Sequence, residues 1–442
     1  MSEAKKPRRR SRVPSGRVER LARIGFMAGE YALGGLSEGA RRWVGALPAD
    51  ASQIFLSGER AEKLARRLAH MRGAAMKLGQ LLSLEGDDLL PAEFGEALSV
   101  LRATADTMPA AQVRRALGRA YGKGWQKRFR CFDFEPLAAA SIGQVHSAVT
   151  AAGEPIALKI QYPGVARSID SDVDNLAGLL KMTRILPVDL DSSEIVKEAK
   201  RQLRKEADYE CEARNLLRYR KLVADEPRFS VPGVHRDLST KRVLAMDRAR
   251  GRPIEELRSP EYPQSLRNQL GTALQHLVFR ELFEFRFMQT DPNFANYLFD
   301  PETGRLMLLD FGSTQQFEPE FVACYKRICR GMLAEDRDAI CEAAIDIGYL
   351  SGDEPPARAR AVADIIILAG EPLRHRGLYD FEASGLAARL RAAGFDLVFR
   401  EGFLRAPPPE TIFLHRKLGG TFLLCARIRS QIDTRSLIQP FL

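Results

Sequence analysis

Residues 286–312 read RFMQTDPNFANYLFDPETGRLMLLDFG. Asp291 is followed five residues on by Asn296, and nineteen residues on by Asp310, which opens the triplet Asp310-Phe311-Gly312. Between them Tyr297-Leu298-Phe299 reads as one strand, Asp300-Pro301-Glu302-Thr303-Gly304 as a turn, and Leu306-Met307-Leu308-Leu309 as the return strand. Phosphoryl transfer asks for such a set: a carboxylate beside the attacking group, with an amide and a second carboxylate to hold Mg²⁺ on the phosphates. A lone Asp-Phe-Gly is common in loops. The ordered set carries the reading.

That order is the one in which protein kinases present their catalytic and metal loops. A literal kinase string, His235-Arg236-Asp237-Leu238, competes with it. Five residues after Asp237 stands Arg242, which cannot ligate Mg²⁺, and Asp310 lies seventy-three residues after Asp237. The preceding Ser230-Val231-Pro232-Gly233-Val234 reads as a turn entering a strand, so the string is a coincidence. There is no Walker string and no dinucleotide fingerprint: Gly118-x-x-x-Gly122-Lys123 is one residue short and lacks the Ser/Thr.

The chain has 442 residues, 45% apolar and 28% charged, an ordinary soluble composition with ample material for a core. Six cysteines without a C-x-x-C pair argue against a disulfide framework and a zinc site, and fit a reducing compartment. No stretch approaches the roughly 20 apolar residues of a membrane span, and no signal-peptide core is present. The net charge of +10 is unevenly placed: residues 1–23 hold nine basic and two acidic residues. That segment reads either as a solvated tail or as a contact for an anionic membrane, where each basic residue near the surface contributes about 1 kcal/mol. Few aromatics interleave the charges, which ranks nucleic acid below membrane.

Residues 14–45 carry helical spacing with two small-x-x-x-small pairs, Gly25/Gly29 and Gly35/Gly39, fitting a helix that packs closely or lies at an interface. Helices are expected at 58–84, which contains Lys77, Gly79 and Gln80, at 92–104, and at 109–121. From Phe132 the period becomes that of strands. Ala138-Ala139-Ala140-Ser141-Ile142-Gly143-Gln144-Val145-His146 fits a kinase glycine-rich loop with Ala138 and Ala140 in the first two glycine places and Gly143 and Val145 retained. Lys159 falls fourteen residues after Val145, where a phosphate-pairing lysine belongs. Its acidic partner is expected from residues 168–222, a helical, charged stretch offering Glu206, Asp208, Glu210 and Glu212; a solvated helix face is the alternative. Val243–Asp247, containing Met246, reads as the strand leading to an interlobe hinge. In 264–288 a helical apolar stripe delivers the chain to Asp291, and further helices are expected at 318–334, 336–348, 355–370, 382–393 and 409–430.

Taken together, Lys77-x-Gly79-Gln80, the 138–146 loop, Lys159-Ile160-Gln161-Tyr162-Pro163-Gly164, Glu206-x-Asp208-Tyr209, Phe287–Asn293, Asp310-Phe311-Gly312 and Leu414–Gly420 resemble the UbiB/aarF-domain atypical kinase family, which includes the mitochondrial coenzyme Q kinases. The resemblance runs from about residue 14 to the C-terminus. It implies an α+β, two-lobed, protein-kinase-like fold with an N-terminal helical extension over the active site. Lys77 would occupy the space of a protein substrate and face Glu206 and Asp208, a catalytic and regulatory position shared with Gly79 and Gln80. Lys159 would pair with Glu212. Ala138, Ala139, Ala140, Ser141, Gly143, Val145, Lys159, Glu212 and Met246 would contact ATP or ADP, Asn296 and Asp310 would hold Mg²⁺, and Asp291 would serve the acceptor.

The expected organisation is a basic tail and small-residue helix at 1–48, a helical extension at 49–130, a kinase-like N-lobe with inserted helices at 131–250, and a helical C-lobe at 251–442. The expected activity is that of an Mg-dependent ATPase or small-molecule kinase supporting ubiquinone biosynthesis. The other reading is a nucleotide-gated lipid-binding chaperone or pseudokinase scaffold. Implied partners are an anionic membrane surface and a prenylated phenolic lipid, then quinone-biosynthesis proteins and a second copy of the chain. The implied location is the inner face of a bacterial membrane, bound peripherally from the cytoplasm, or the matrix side in mitochondria. Ordinary protein phosphorylation is disfavoured: no Ala-Pro-Glu follows Asp310-Phe311-Gly312, and Gln289-Thr290 replaces His-Arg before Asp291.

Overall fold

A computed structural model describes residues 107–182, 193–399 and 408–442. Lys77, Gly79, Gln80 and the helices expected at 14–45, 58–84 and 92–104 lie outside the described residues. The chain forms two compact units. The first holds the described residues up to Ala213 together with Val234–Arg248, and the second holds Arg214–Gly233 and Ala249–Leu442.

In the first unit α1 (Ala110–Tyr121) follows Pro109 and buries Val113 and Leu117, four residues apart on one face. Then come β1 (Phe129–Ala139), β2 (Gly143–Thr150) and β3 (Pro155–Gln161), joined by tight turns. Gly153 takes φ +98° in the β2–β3 turn, which glycine adopts without strain. The helical stretch expected as one run is three helices: α2 (Val165–Met182), α3 (Ser193–Glu206) and α4 (Tyr209–Leu222). After β4 (Phe229–Ser230), which belongs to the second unit, β5 (Val243–Asp247) returns to complete an antiparallel sheet in the order β1-β2-β3-β5. The His235–Leu238 string lies just before β5, in a 3-10 turn.

In the second unit β6 (Arg252–Pro253) precedes α5 (Gln264–Phe279). The helix expected to run to residue 288 stops earlier. A π-turn spans Arg280–Glu284, and Phe287–Gln289 is a strand, β7, because it pairs with β10 (Thr314–Gln316). β8 (Tyr297–Phe299) and β9 (Leu306–Leu308) form the expected hairpin, set in a sheet of order β4-β9-β8-β6. Helices α6 (Pro319–Ala334), α7 (Arg337–Asp346), α8 (Pro356–Ala369) and α9 (Glu371–Arg374) follow. The chain closes with β11 (Tyr379–Asp380), α10 (Leu386–Phe399), α11 (Pro409–Arg427), β12 (Gln431–Ile432) and α12 (Thr434–Ile438). A core cluster gathers Val278 and Leu282, Met288, Phe317 and Leu414 from four separate stretches.

The π-turn turns Glu281 fully inward, at 0% exposure. Its Oε1 accepts from Tyr219 Oη at 2.7 Å and from the Gln289 backbone N–H at 2.8 Å. Lys417 of α11, 2% exposed, stands 3.1 Å from Oε2 and also donates to Gln289 Oε1 at 3.1 Å and to Tyr297 Oη at 3.3 Å. Burial disfavours the Lys417 ammonium, but Glu281 and Tyr297 outweigh it and its pKa moves up. Glu281 thereby fixes the strand that leads into Asp291. Removing one charge of a buried pair costs about 3–5 kcal/mol, whereas neutralising both costs much less. Chemical denaturation should therefore show Lys417→Met strongly destabilised and Glu281→Gln/Lys417→Met closer to wild type. A double variant as unstable as the sum of the singles would contradict this coupling.

A second buried network supports the first unit. His146 Nδ1 bonds the Asp133 carbonyl oxygen at 2.8 Å, so Nε2 accepts from the Gln144 amide at 2.7 Å, and Gln144 Oε1 accepts from Met108 N–H at 2.7 Å. Burial holds the His146 pKa below its ordinary 6.5, against the opposing Asp133 carbonyl bond. The unfolded chain then binds the extra proton more readily. The contribution is whole above pH 6.5 and is lost as pH falls toward the folded pKa. Urea unfolding between pH 7 and pH 5 should lose stability more steeply in wild type than in His146→Gln. Equal slopes would remove His146 from the account.

Candidate functional site

Two pairs of strands tie the loops carrying the predicted acids. The loop from Thr290 to Asn296 runs from β7 to β8, and the loop from Leu309 to Ser313 runs from β9 to β10. The register Tyr297↔Leu308 places Asn296 opposite Leu309, and Leu309 N–H donates to the Asn296 carbonyl at 3.1 Å. At the other end Thr290 N–H donates to the Ser313 carbonyl at 2.9 Å, beside the pair Gln289↔Thr314. The two loops are thus bound together at both ends, which brings the Asp291/Asn296 loop and the Asp310 loop side by side.

Asn296 Nδ2 donates to the Asp291 carbonyl and to Asp291 Oδ2, each at 3.2 Å. With the side-chain amide assigned that way, its oxygen, Asn296 Oδ1, is the atom left to face a ligand. Asp310 Oδ1 accepts from Gly312 N–H at 2.9 Å, and Phe311 is fully buried with its ring 4.7 Å from that of Tyr219. Asn215 Nδ2 donates to the Phe311 carbonyl and to Thr314 Oγ1 at 3.2 and 3.1 Å. Among the described residues no three His, Cys, Asp or Glu side chains cluster as a metal site. A carboxylate and a carboxamide oxygen are nevertheless a fitting donor pair for Mg²⁺, which takes few protein ligands and fills its shell from phosphate and water.

Asp291 is held from α11 as well: Arg416 Nη2 donates to its Oδ1 at 2.5 Å. The helix comes this close because residue 420 is glycine; a Cβ there would lie 2.1 Å from Pro292 Cγ. Arg416, Lys417 and Glu281 were not singled out as site residues from the sequence. A signal was present, since Leu414–Gly420 stands out as a motif. Adjacent Arg and Lys on a helix nonetheless read as solvated charges until a partner is known.

In the first unit Lys159 Nζ donates to Glu212 Oε1 at 2.6 Å; the two residues are 7% and 1% exposed. Of the four acids considered, Glu212 is the one paired with the lysine. Val145 lies between the loop and the lysine, with Ala138 opposite on β1 and Lys159 opposite on β3. Met246 is buried on β5 opposite Ala157. The loop itself is a tight turn in which Ala140 N–H donates to the Gly143 carbonyl at 2.8 Å. Neither Ala138, Ala139, Ala140 nor Ser141 has positive φ. Gly143 serves close packing: a Cβ there would lie 2.5 Å from the Ile160 carbonyl oxygen and 2.7 Å from Tyr209 Oη. Ser141 Oγ donates to Glu206 Oε2 at 2.9 Å, so Glu206 steadies the loop, while Asp208 Oδ1 accepts from Cys211 N–H at 3.0 Å and caps α4.

The ABC1 atypical kinase-like domain matches residues 100–344. The chain is 41% identical over 433 residues to the atypical kinase COQ8B, mitochondrial, of Rattus norvegicus, covering 98% of this chain and 81% of the relative. It is 34% identical over 439 residues to the atypical kinase COQ8, mitochondrial, of Saccharomyces cerevisiae, covering 99% and 87%. Among solved structures, Rv3197 of Mycobacterium tuberculosis, determined as a complex with erythromycin, superposes with a TM-score of 0.60 at 25% identity, covering 87% of this chain and 96% of that one. With the kinase-like fold, the paired loops and these matches in agreement, the chain belongs to the ABC1 atypical kinase family that includes the COQ8 proteins.

Proposed function

We propose that the protein binds ATP or ADP with Mg²⁺ and acts as an ATPase or small-molecule kinase supporting ubiquinone biosynthesis at a membrane surface. The observation that supports this most is the buried 2.6 Å pair of Lys159 with Glu212. An ammonium aligned in that way is what phosphoryl transfer uses to hold the α- and β-phosphates. Asn296 and Asp310 would hold the metal, whose chemistry is to neutralise charge on the transferring phosphoryl group. Asp291 would orient the acceptor, water or a hydroxyl. Both its oxygens already receive N–H donors, from Arg416 and Asn296, so an acceptor hydroxyl would share a remaining lone pair.

A protein acceptor fits poorly. Thr314–Gln316 follows Asp310-Phe311-Gly312 almost at once and is taken up by pairing with β7, and α6 begins at Pro319. Little chain is left to form a peptide platform. The similarity to the mitochondrial atypical kinases COQ8B and COQ8, together with the family resemblance, supports the quinone assignment. The basic residues of the 1–23 segment support a peripheral contact with anionic membrane, and none of the described helices is long and apolar enough to cross one.

Phosphate release from Mg-ATP, measured with and without anionic liposomes, tests the reading. Outer-shell changes at metal sites cost about 10–100-fold, so loss of a ligand itself in Asp310→Asn should cost at least about tenfold. Wild-type release no greater than that of Asp310→Asn under both conditions would leave nucleotide-gated lipid binding as the better account. Ala140→Gly restores the freedom that lets loop backbone turn toward phosphates, and nucleotide titration should show tighter binding. Unchanged affinity would count against this account of the loop.

A further inference from the structure

Asn215 stands in the middle of α4, a place where asparagine is a weak helix former. Its side chain reaches the Asp310 loop, ninety-six residues further along the chain. Nδ2 donates to the Phe311 carbonyl at 3.2 Å and to Thr314 Oγ1 at 3.1 Å. The amide can face only this way, because a backbone carbonyl accepts and never donates. One helical turn on, Tyr219 lays its ring 4.7 Å from that of Phe311 and donates its hydroxyl to Glu281 Oε1 at 2.7 Å. Residues four apart share a helix face, so α4 grips Phe311 twice, by its ring and by its carbonyl.

That carbonyl belongs to the peptide unit that steers Asp310. The Phe311–Gly312 bond is trans, and in a planar trans peptide the C=O and the N–H point in opposite directions. Holding the carbonyl toward Asn215 therefore turns the Gly312 N–H the other way, where it donates to Asp310 Oδ1 at 2.9 Å. A donor on the carbonyl also polarises the amide and strengthens the bond that its N–H makes. The next peptide is fixed separately, since Thr290 N–H donates to the Ser313 carbonyl at 2.9 Å. Rotating the Phe311–Gly312 peptide alone changes φ at residue 312, where glycine accepts either sign at little cost; here Gly312 keeps φ negative. The glycine leaves both peptide orientations open, and Asn215 favours the one that aims the N–H at Asp310.

We propose that Asn215 is a positioning residue for Asp310: through the Phe311–Gly312 peptide it sets the direction in which that carboxylate meets Mg²⁺. The role rests on the reading of Asp310 as a metal ligand. It adds to that reading a residue from a distant helix that acts on the metal only through one rigid peptide unit.

The test follows metal, nucleotide and stability separately on the full chain. Mn²⁺, which carboxylate, carbonyl and water ligands suit as they do Mg²⁺, is titrated into the ADP complex and read by the electron paramagnetic resonance of the free ion. ADP is titrated in EDTA, and urea unfolding is followed in EDTA without nucleotide. Partners one step removed from a metal change its affinity about 10–100-fold. Asn215→Leu should therefore bind Mn²⁺ at least about tenfold more weakly, and ADP in EDTA as wild type does. Thr314→Val removes the other acceptor but leaves the Phe311 carbonyl held, so its Mn²⁺ affinity should match wild type. Asn215→Ser, too short to reach the carbonyl, serves in the same titrations if the leucine variant fails to fold. Wild-type Mn²⁺ affinity in Asn215→Leu, whatever its urea stability, beside a clear loss in Asp310→Asn would overturn the positioning role alone. An equal loss of ADP affinity in EDTA, or an equal loss of Mn²⁺ affinity in Thr314→Val, would overturn it too, because the contact would then hold the fold and not the metal. Unchanged Mn²⁺ affinity in Asp310→Asn would overturn the metal reading itself, and this role with it.

Discussion

A carboxylate cut off from water must be matched by donors, and Glu281 is matched from three sides: a tyrosine hydroxyl, a backbone N–H and an ammonium. Those three come from α4, β7 and α11, elements far apart in the chain. The hydrogen bond to Gln289 N–H falls two residues before Asp291, so the place of the candidate acid follows from how the buried charge is satisfied. The π-turn belongs to the same constraint. A regular continuation of α5 would keep its backbone bonds but put the side chains of residues 280–284 in a different rotational phase. The local irregularity is the cost of aiming one carboxylate inward.

Around that anchor the two loops of the second unit are held at both ends by short β pairs, and short strands suffice because each loop borrows the other's edge. The first unit solves a different problem. Its turn at Ala140–Gly143 is closed by its own backbone bond and by the Ser141 hydroxyl on Glu206, so the Ala140 N–H is engaged within the turn. The lone glycine of the loop is retained for space against Ile160 and Tyr209, not for left-handed backbone.

Much of this was readable in the residues. The hairpin between Asn296 and Asp310 follows from a two-strand pattern with an Asp-Pro-x-x-Gly turn, and Lys159 from its place on the third strand. The end of α5 was not readable: its apolar stripe continues past Phe279 in helical period, while the pairing that makes 287–289 a strand depends on residues 314–316, which no local pattern announces. Glu212 could not be separated from Glu206, Asp208 and Glu210 by spacing, since all four sit in a charged helical run and only tertiary packing buries one of them. Arg416 and Lys417 were hidden for the same reason. Charge on a helix says nothing about burial until the opposing carboxylate is placed.

The close approach of α11 to Pro292 reaches beyond packing. With 2.1 Å between a notional Cβ at 420 and the proline ring, positions 292 and 420 do not mutate independently. A side chain at 420 is admissible only if the loop residue shrinks or the helix slides, and sliding would draw Arg416 away from Asp291. Across diverging sequences such a pair should change together or not at all, so that two residues 128 positions apart behave, under substitution, as one.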